Sequence, residues 1–249
     1  MRIVTLSVLG SDGQSLSIGL PLRDKKRLEY FFRKLILYDD FGYTLLGNKP
    51  VSLSAYRQFS FSSDLIGIYS ALLPPNIKMK LGWKAWKKYE CYFNLKRFAL
   101  WEEESPWIKN GSIILLANKE KFAEVYHQYQ EDFQRVGSHV DLNRVHETPL
   151  MIKQLNGHEG LIGTILGYGR TNAWLYHSHD KCSEVPSLWE KEIEEGMTKQ
   201  LGYPEFIADV HSNETKCLKE DYKKTREVIL HTYEGKDFLE TTLSLLIAP

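Results

Sequence analysis

The sequence predicts an α+β fold in which one domain, residues 1–249, builds an antiparallel or mixed sheet covered by helices. Three observations carry that expectation. Apolar and small polar residues alternate on both sides of the turn Gly10-Ser-Asp-Gly13. Segments 23–38 and 118–136 place apolar residues at three- and four-residue spacing, the period of an amphipathic helix. Ser112-Ile-Ile-Leu-Leu-Ala117 is an unbroken apolar run of strand length. With 43 % hydrophobic and 26 % charged residues in 249, the chain has the composition of an ordinary globular protein with a sizeable core.

Taken in order, residues 3–9 and 14–20 read as a β-hairpin closed by Pro21. Leu28, Phe31, Phe32, Leu35 and Ile36 then mark a helix over 23–38 whose Arg and Lys residues form its wet face. Residues 42–46 and 51–55 flank Gly47-Asn-Lys-Pro50 and are expected to pair as a second hairpin. Asp64 is a candidate cap for a short helix ending before Pro74-Pro75. A helix is expected from about 83 to 93, with Trp83, Trp86, Glu90 and Phe93 along one side. Asn118 is the expected N-cap of the helix over 118–136, with Gly137 ending it. The stretch 157–176 is read as a glycine-rich central helix. Beyond it come a helix from Pro186 through Met197, a strand over 205–211, a charged helix or irregular segment over 213–233 and a final strand or docking helix over 238–247.

Charge excludes some functions. Lys+Arg and Asp+Glu are both 32, so no global field favours nucleic acid. The balance is uneven, +7 over residues 1–110, −1 over 111–179 and −6 over 180–249, which suits an interaction protein with unlike surfaces. The aromatic and basic stretch from Lys78 to Trp107 has the ingredients of a single-strand or membrane-interface binder, but Trp and Tyr in a chain this size more often fill the core. No apolar run reaches the roughly 18 residues of a membrane helix. The N-terminal run is broken by Thr5 and Ser7 and reads as a strand, not a signal peptide. Three widely spaced cysteines make neither a disulfide framework nor a metal knuckle, so a cytoplasmic location is expected.

Motifs for chemistry are sparse. Gly157, Gly160, Gly163, Gly167 and Gly169 match neither a dinucleotide fingerprint nor a phosphate loop, and their better explanation is close helix packing, each glycine costing about 1 kcal/mol against alanine unless contacts offset it. His177, His179, Asp180 and Cys182 are metal-capable, yet no second ligand pair stands at the right spacing, so neither a metal nor a cofactor is expected. No Gly-x-Ser-x-Gly elbow is present, and the runs Glu102-Glu-Glu104 and 192–195 read as solvated faces.

Gly42-Tyr-Thr-Leu-Leu-Gly-Asn-Lys-Pro50 together with Leu166-Gly-Tyr-Gly-Arg-Thr-Asn-Ala173 resembles a pattern in a family of uncharacterised bacterial proteins of similar length. The resemblance implies a bacterial source and one domain holding both motifs, and it brings no activity, substrate or cofactor. Two functions from different classes follow. The first is a non-enzymatic binding or interaction protein with a protein partner. The second is an enzyme or small-ligand binder with a pocket at the end of the 157–176 helix, lined by Tyr168, Arg170, Asn172 and His177.

Overall fold

Strands β1 (Ile3–Leu9) and β2 (Ser15–Pro21) form the expected hairpin, antiparallel from Ile3 opposite Pro21 to Leu9 opposite Ser15. Leu6, Val8, Ile18 and Leu20 are buried on one face while Thr5, Ser7 and Ser17 meet solvent on the other, the period of two that a half-buried strand requires. The structure is a computed structural model and describes residues 2–9, 15–57, 74–137, 151–155, 157–178 and 201–248. The expected short helix after Asp64, the helix through Met197, and His179, Asp180 and Cys182 lie outside the described residues.

Helix α1 (Leu22–Tyr38) buries the apolar face read from its spacing. The first arm of the expected second hairpin is instead helix α2 (Phe41–Leu46). The physical reason is Asp40, whose left-handed backbone (φ 63°) breaks α1 and redirects the chain, so Phe41, Tyr43 and Leu45 enter the core from a helix. Thr44 Oγ1 lies 2.7 Å from Ser52 Oγ and joins α2 to β3 (Val51–Arg57). Helix α3 (Pro75–Tyr89) begins eight residues before the expected start, with Pro75 in its first turn, and a 3₁₀ turn (Glu90–Tyr92) follows.

Strands β4 (Phe98–Glu104) and β5 (Gly111–Asn118) complete a sheet of order β3-β5-β4, antiparallel throughout and separate from the β1-β2 hairpin. β5 is buried along its whole length, and its alternation divides the interior into two cores. Ile114 and Leu116, with Phe98 and Leu100 of β4, face α1, α2 and α3. Ile113, Leu115 and Ala117, with Ala99 and Trp101, face the other way. That double burial explains why the run carries no polar alternation.

The second core is roofed by α4 (Lys119–Gln128), α5 (Gln130–Arg135), α6 (Met151–Gln154) and α7 (Glu159–Ile165). Asn118 caps α4 as expected, accepting from Lys121 N at 3.2 Å, but the helix stops at Tyr129 (φ −116°, ψ 27°) and restarts. The 157–176 helix is also two helices, α7 and α8 (Arg170–His177). Two further helices, α9 (Asn213–Tyr233) and α10 (Phe238–Ile247), close the first core with Ile229, Leu239 and Leu243. Residues 205–211 form no strand; Asp209 spends its amide hydrogen on Asn172 Oδ1 at 2.9 Å and Phe206 stacks on Tyr168. The acidic run is not a solvated face either, since Glu103 is 4 % exposed and accepts from Trp101 Nε1 at 2.7 Å and Ile152 N at 3.2 Å. Of the basic aromatic stretch, Trp83, Trp86, Tyr89, Phe93 and Trp101 are core, while Tyr92 and Trp107 are exposed. No helix of the described residues is long and apolar enough to cross a membrane.

Candidate functional site

The two sequence motifs meet in space. Gly167 (φ 78°) and Gly169 (φ 84°) take the left-handed region that favours glycine, and they fold the chain between α7 and α8 into a tight turn. A Cβ on Gly163 would lie 2.8 Å from Cβ of Ala173, so the two helices pack at a distance only glycine permits. The packing reading therefore holds for Gly163, while Gly167 and Gly169 serve the turn. A Cβ on Gly167 would come 3.0 Å from Pro50 and 3.1 Å from the Tyr222 hydroxyl, which places the first motif directly under the second.

Carbonyls freed at the end of α7 are taken by buried side chains. Lys49 is 2 % exposed; its Nζ donates to the Leu166 carbonyl and stands 4.7 Å from the centre of the Tyr168 ring. Tyr222 donates its hydroxyl to the Gly167 carbonyl at 2.6 Å. Burial lowers the Lys49 ammonium to about 8, against the opposing charge of Asp40. Burial likewise pushes the Asp40 carboxyl up to about 6, with Lys49 pulling the other way. Opposite charges normally stabilise each other's ionised forms, so desolvation is the larger effect here. Burial also raises the hydroxyls of Tyr168 and Tyr222.

Of the four residues that sequence singles out, Tyr168 and Asn172 form part of one pocket wall, while Arg170 and His177 take separate tasks. Arg170 makes a bidentate pair with Asp132 (Nε–Oδ2 2.6 Å, Nη2–Oδ1 3.1 Å) and lies 5.5 Å over the Trp174 ring. The guanidinium holds the Asp132 carboxyl below its usual range. Asn172 is fully buried: its amide nitrogen donates to the Tyr168 carbonyl at 2.9 Å, its oxygen accepts from Asp209 N, and Thr215 Oγ1 lies within hydrogen-bond reach. His177 lies against His158, ring centres 3.9 Å apart, and beside Trp174. His158 caps α7 by accepting from Leu161 N at 3.3 Å through Nδ1, and burial, with the neighbouring His177, lowers its pKa. Among the described residues no ion pair joins His177 to a carboxylate. Glu214 caps α8, its two oxygens accepting from Arg170 N and Thr171 N at 2.9 Å each.

Two cavities flank this junction. One, about 330 Å³, is lined by Asn48, Lys49, Tyr129, Arg170, Glu214 and Asp221 among others, a mixture of both signs. The other, about 320 Å³, runs along α7 and α8. Its rings are Trp107, Tyr168, Tyr176 and Phe206, and Ile162, Leu166 and Ile207 supply aliphatic surface. Trp107 and Tyr176 are 53 % and 44 % exposed and stand at its open side. Asn172 and Tyr168 thus line the second cavity and Arg170 the first, while His177 lines neither. Sequence alone does not single out Lys49, Asp40, Trp107 or Phe206. Lys49 lies between turn residues, where a lysine is ordinarily solvated, and the 166–168 turn packs over it. No group of three or more metal-capable side chains converges among the described residues. Comparison with known protein families, characterised proteins and solved structures finds no match to this chain, so the site stands on its geometry.

Proposed function

We propose that the protein is a non-enzymatic binding protein and that its recognition site is the aromatic pocket between α7, α8 and residues 206–207. The observation that carries this reading is where the polar groups go. Asn172 is saturated by its own neighbours, Arg170 is held by Asp132, and His177 rests on His158, so rings and aliphatic side chains dominate the pocket wall. General acid–base chemistry is carried by titratable groups placed around the substrate, and among the described residues of this wall Glu159 is the one charged side chain, with no charged partner opposite it. A concave apolar wall of this volume with few convergent polar groups instead suits ligand capture. Exposed free thiols at Cys91 and Cys217 support a reducing, cytoplasmic setting.

The second reading, an enzyme acting on a small ligand in the same pocket, draws on Asp40 and Lys49, because strongly shifted acidities cluster at reaction centres. Lys49 lies behind Tyr168 and outside the pocket wall, which favours the first reading. A thermal-shift screen of aromatic fragments followed by NMR of the recovered ligand separates the two. Binding without turnover gives saturable stabilisation, about 2.7 kcal/mol at 100 times the dissociation constant, and unchanged ligand. Conversion of the ligand would support the enzyme.

A further inference from the structure

Charge around the pocket indicates which ligand it takes. Among the described residues of its wall, Glu159 is the one charged side chain. It is partly buried at the first position of α7, and no ion pair engages it among the described residues. A ring face carries negative electrostatic potential and attracts cations, and a carboxylate beside several rings adds to that attraction. An anion entering here would meet repulsion from both. Tyr168 already shows the preference from its buried side, where the Lys49 ammonium sits over the ring.

Resting on the reading of this pocket as the recognition site, we infer that it binds a small organic cation, a substituted ammonium with an aromatic or branched apolar body. The charged head lies at Glu159, and the body lies between Trp107, Tyr176 and Phe206. A cavity of about 320 Å³ is sized for a small molecule.

The full chain labelled with 5-fluorotryptophan has six fluorine resonances, one per Trp, and Trp107→Phe identifies that of Trp107. Three probes of matched size are titrated: 2-phenylethylammonium, 2-phenylethanol and 3-phenylpropanoate. The cation is expected to shift Trp107 with a dissociation constant about tenfold below that of the alcohol, and the carboxylate to bind more weakly than either. Glu159→Gln should bring cation and alcohol within about twofold. If that variant unsettles α7, the wild type at about 0.5 M salt reads the same charge term, with the cation weakened and the alcohol not. Equal affinity of cation and alcohol, or a preference that survives both Glu159→Gln and salt, overturns the cation assignment and leaves the binding pocket standing. A lysine peptide that shifts Trp107 where 2-phenylethylammonium does not overturns the small-molecule assignment. No movement of Trp107 with any probe overturns both the assignment and the pocket's role.

Discussion

Replacing Lys49 by methionine tests the junction beneath the two motifs. The ammonium titrates at about 8 in the folded chain against 10.5 when solvated. A folded-state value below the unfolded one means that the unfolded chain holds more protons between those limits, so stability rises with pH across that window. At pH 7 the charged lysine costs about 3 kcal/mol relative to a group without the shift, and at pH 9.5 about 1 kcal/mol. Methionine keeps the apolar stem, removes the charge and leaves the Leu166 carbonyl without its donor, a loss of about 1–3 kcal/mol. The variant should therefore be about as stable as wild type or slightly more so at pH 7, in line with other buried charges replaced by apolar residues. Its advantage should shrink by about 2 kcal/mol or more between pH 7 and 9.5, because removing Lys49 also lets the buried Asp40 carboxyl rise further, which acts in the same direction. Urea unfolding of both proteins at four pH values reads the difference, in which groups remote from Lys49 cancel. A difference constant within about 0.5 kcal/mol would refute the burial argument, because an ordinary lysine has almost no linkage below pH 9.

Three further outcomes follow from the same geometry. Gly169→Ala should cost about 2 kcal/mol or more, since its backbone is left-handed and its Cβ would lie 2.7 Å from the Glu214 carboxyl, whereas Gly235→Ala, equally left-handed in open space, should cost about 1 kcal/mol; thermal midpoints compare them. His158 must be neutral at Nδ1 to cap α7, and its lowered folded-state value means that its contribution is fully present above 6.5 and is lost as pH falls from there through the lower folded-state value. Hydrogen exchange at the Leu161 amide should accelerate between pH 7 and 5 beyond its intrinsic pH dependence, and His158→Asn, which caps without titrating, should abolish that excess. Arg170→Met should cost about 1 kcal/mol in urea unfolding, because its partner Asp132 is buried while the guanidinium is 42 % exposed, and it should leave ligand affinity in the aromatic pocket unchanged.

How far the sequence reveals this molecule depends on the reach of each signal. Periodicity marks α1 and an unbroken apolar run marks β5, because their faces are set by neighbours within one or two turns, whereas the charged segment that forms α9 reads as either a helix or an irregular stretch. Periodicity fails where one backbone angle decides the outcome: Asp40 turns an expected strand into α2, and Gly167 with Gly169 splits a helix whose residues are otherwise regular. Length and type of short apolar pieces are ambiguous between helix and strand, as at residues 42–46. Tyr168 and Asn172 line one cavity, and both belong to a motif that is unusual on sequence alone. Arg170 and His177 were placed in that pocket on proximity in sequence, and a helix sends neighbours to different sides. Trp107 and Phe206 reach the pocket from distant segments, and nothing local in either marks it.

The most direct measurement of the central claim is a set of nuclear Overhauser contacts between 2-phenylethylammonium and the methyl-labelled protein. Ring protons of the ligand should give contacts to the methyl groups of Ile162, Leu166 and Ile207, which line the pocket, and the ligand should be recovered unchanged. Contacts to methyl groups elsewhere, for instance Val125 and Leu218 on the other cavity, or no contacts at all, would contradict it.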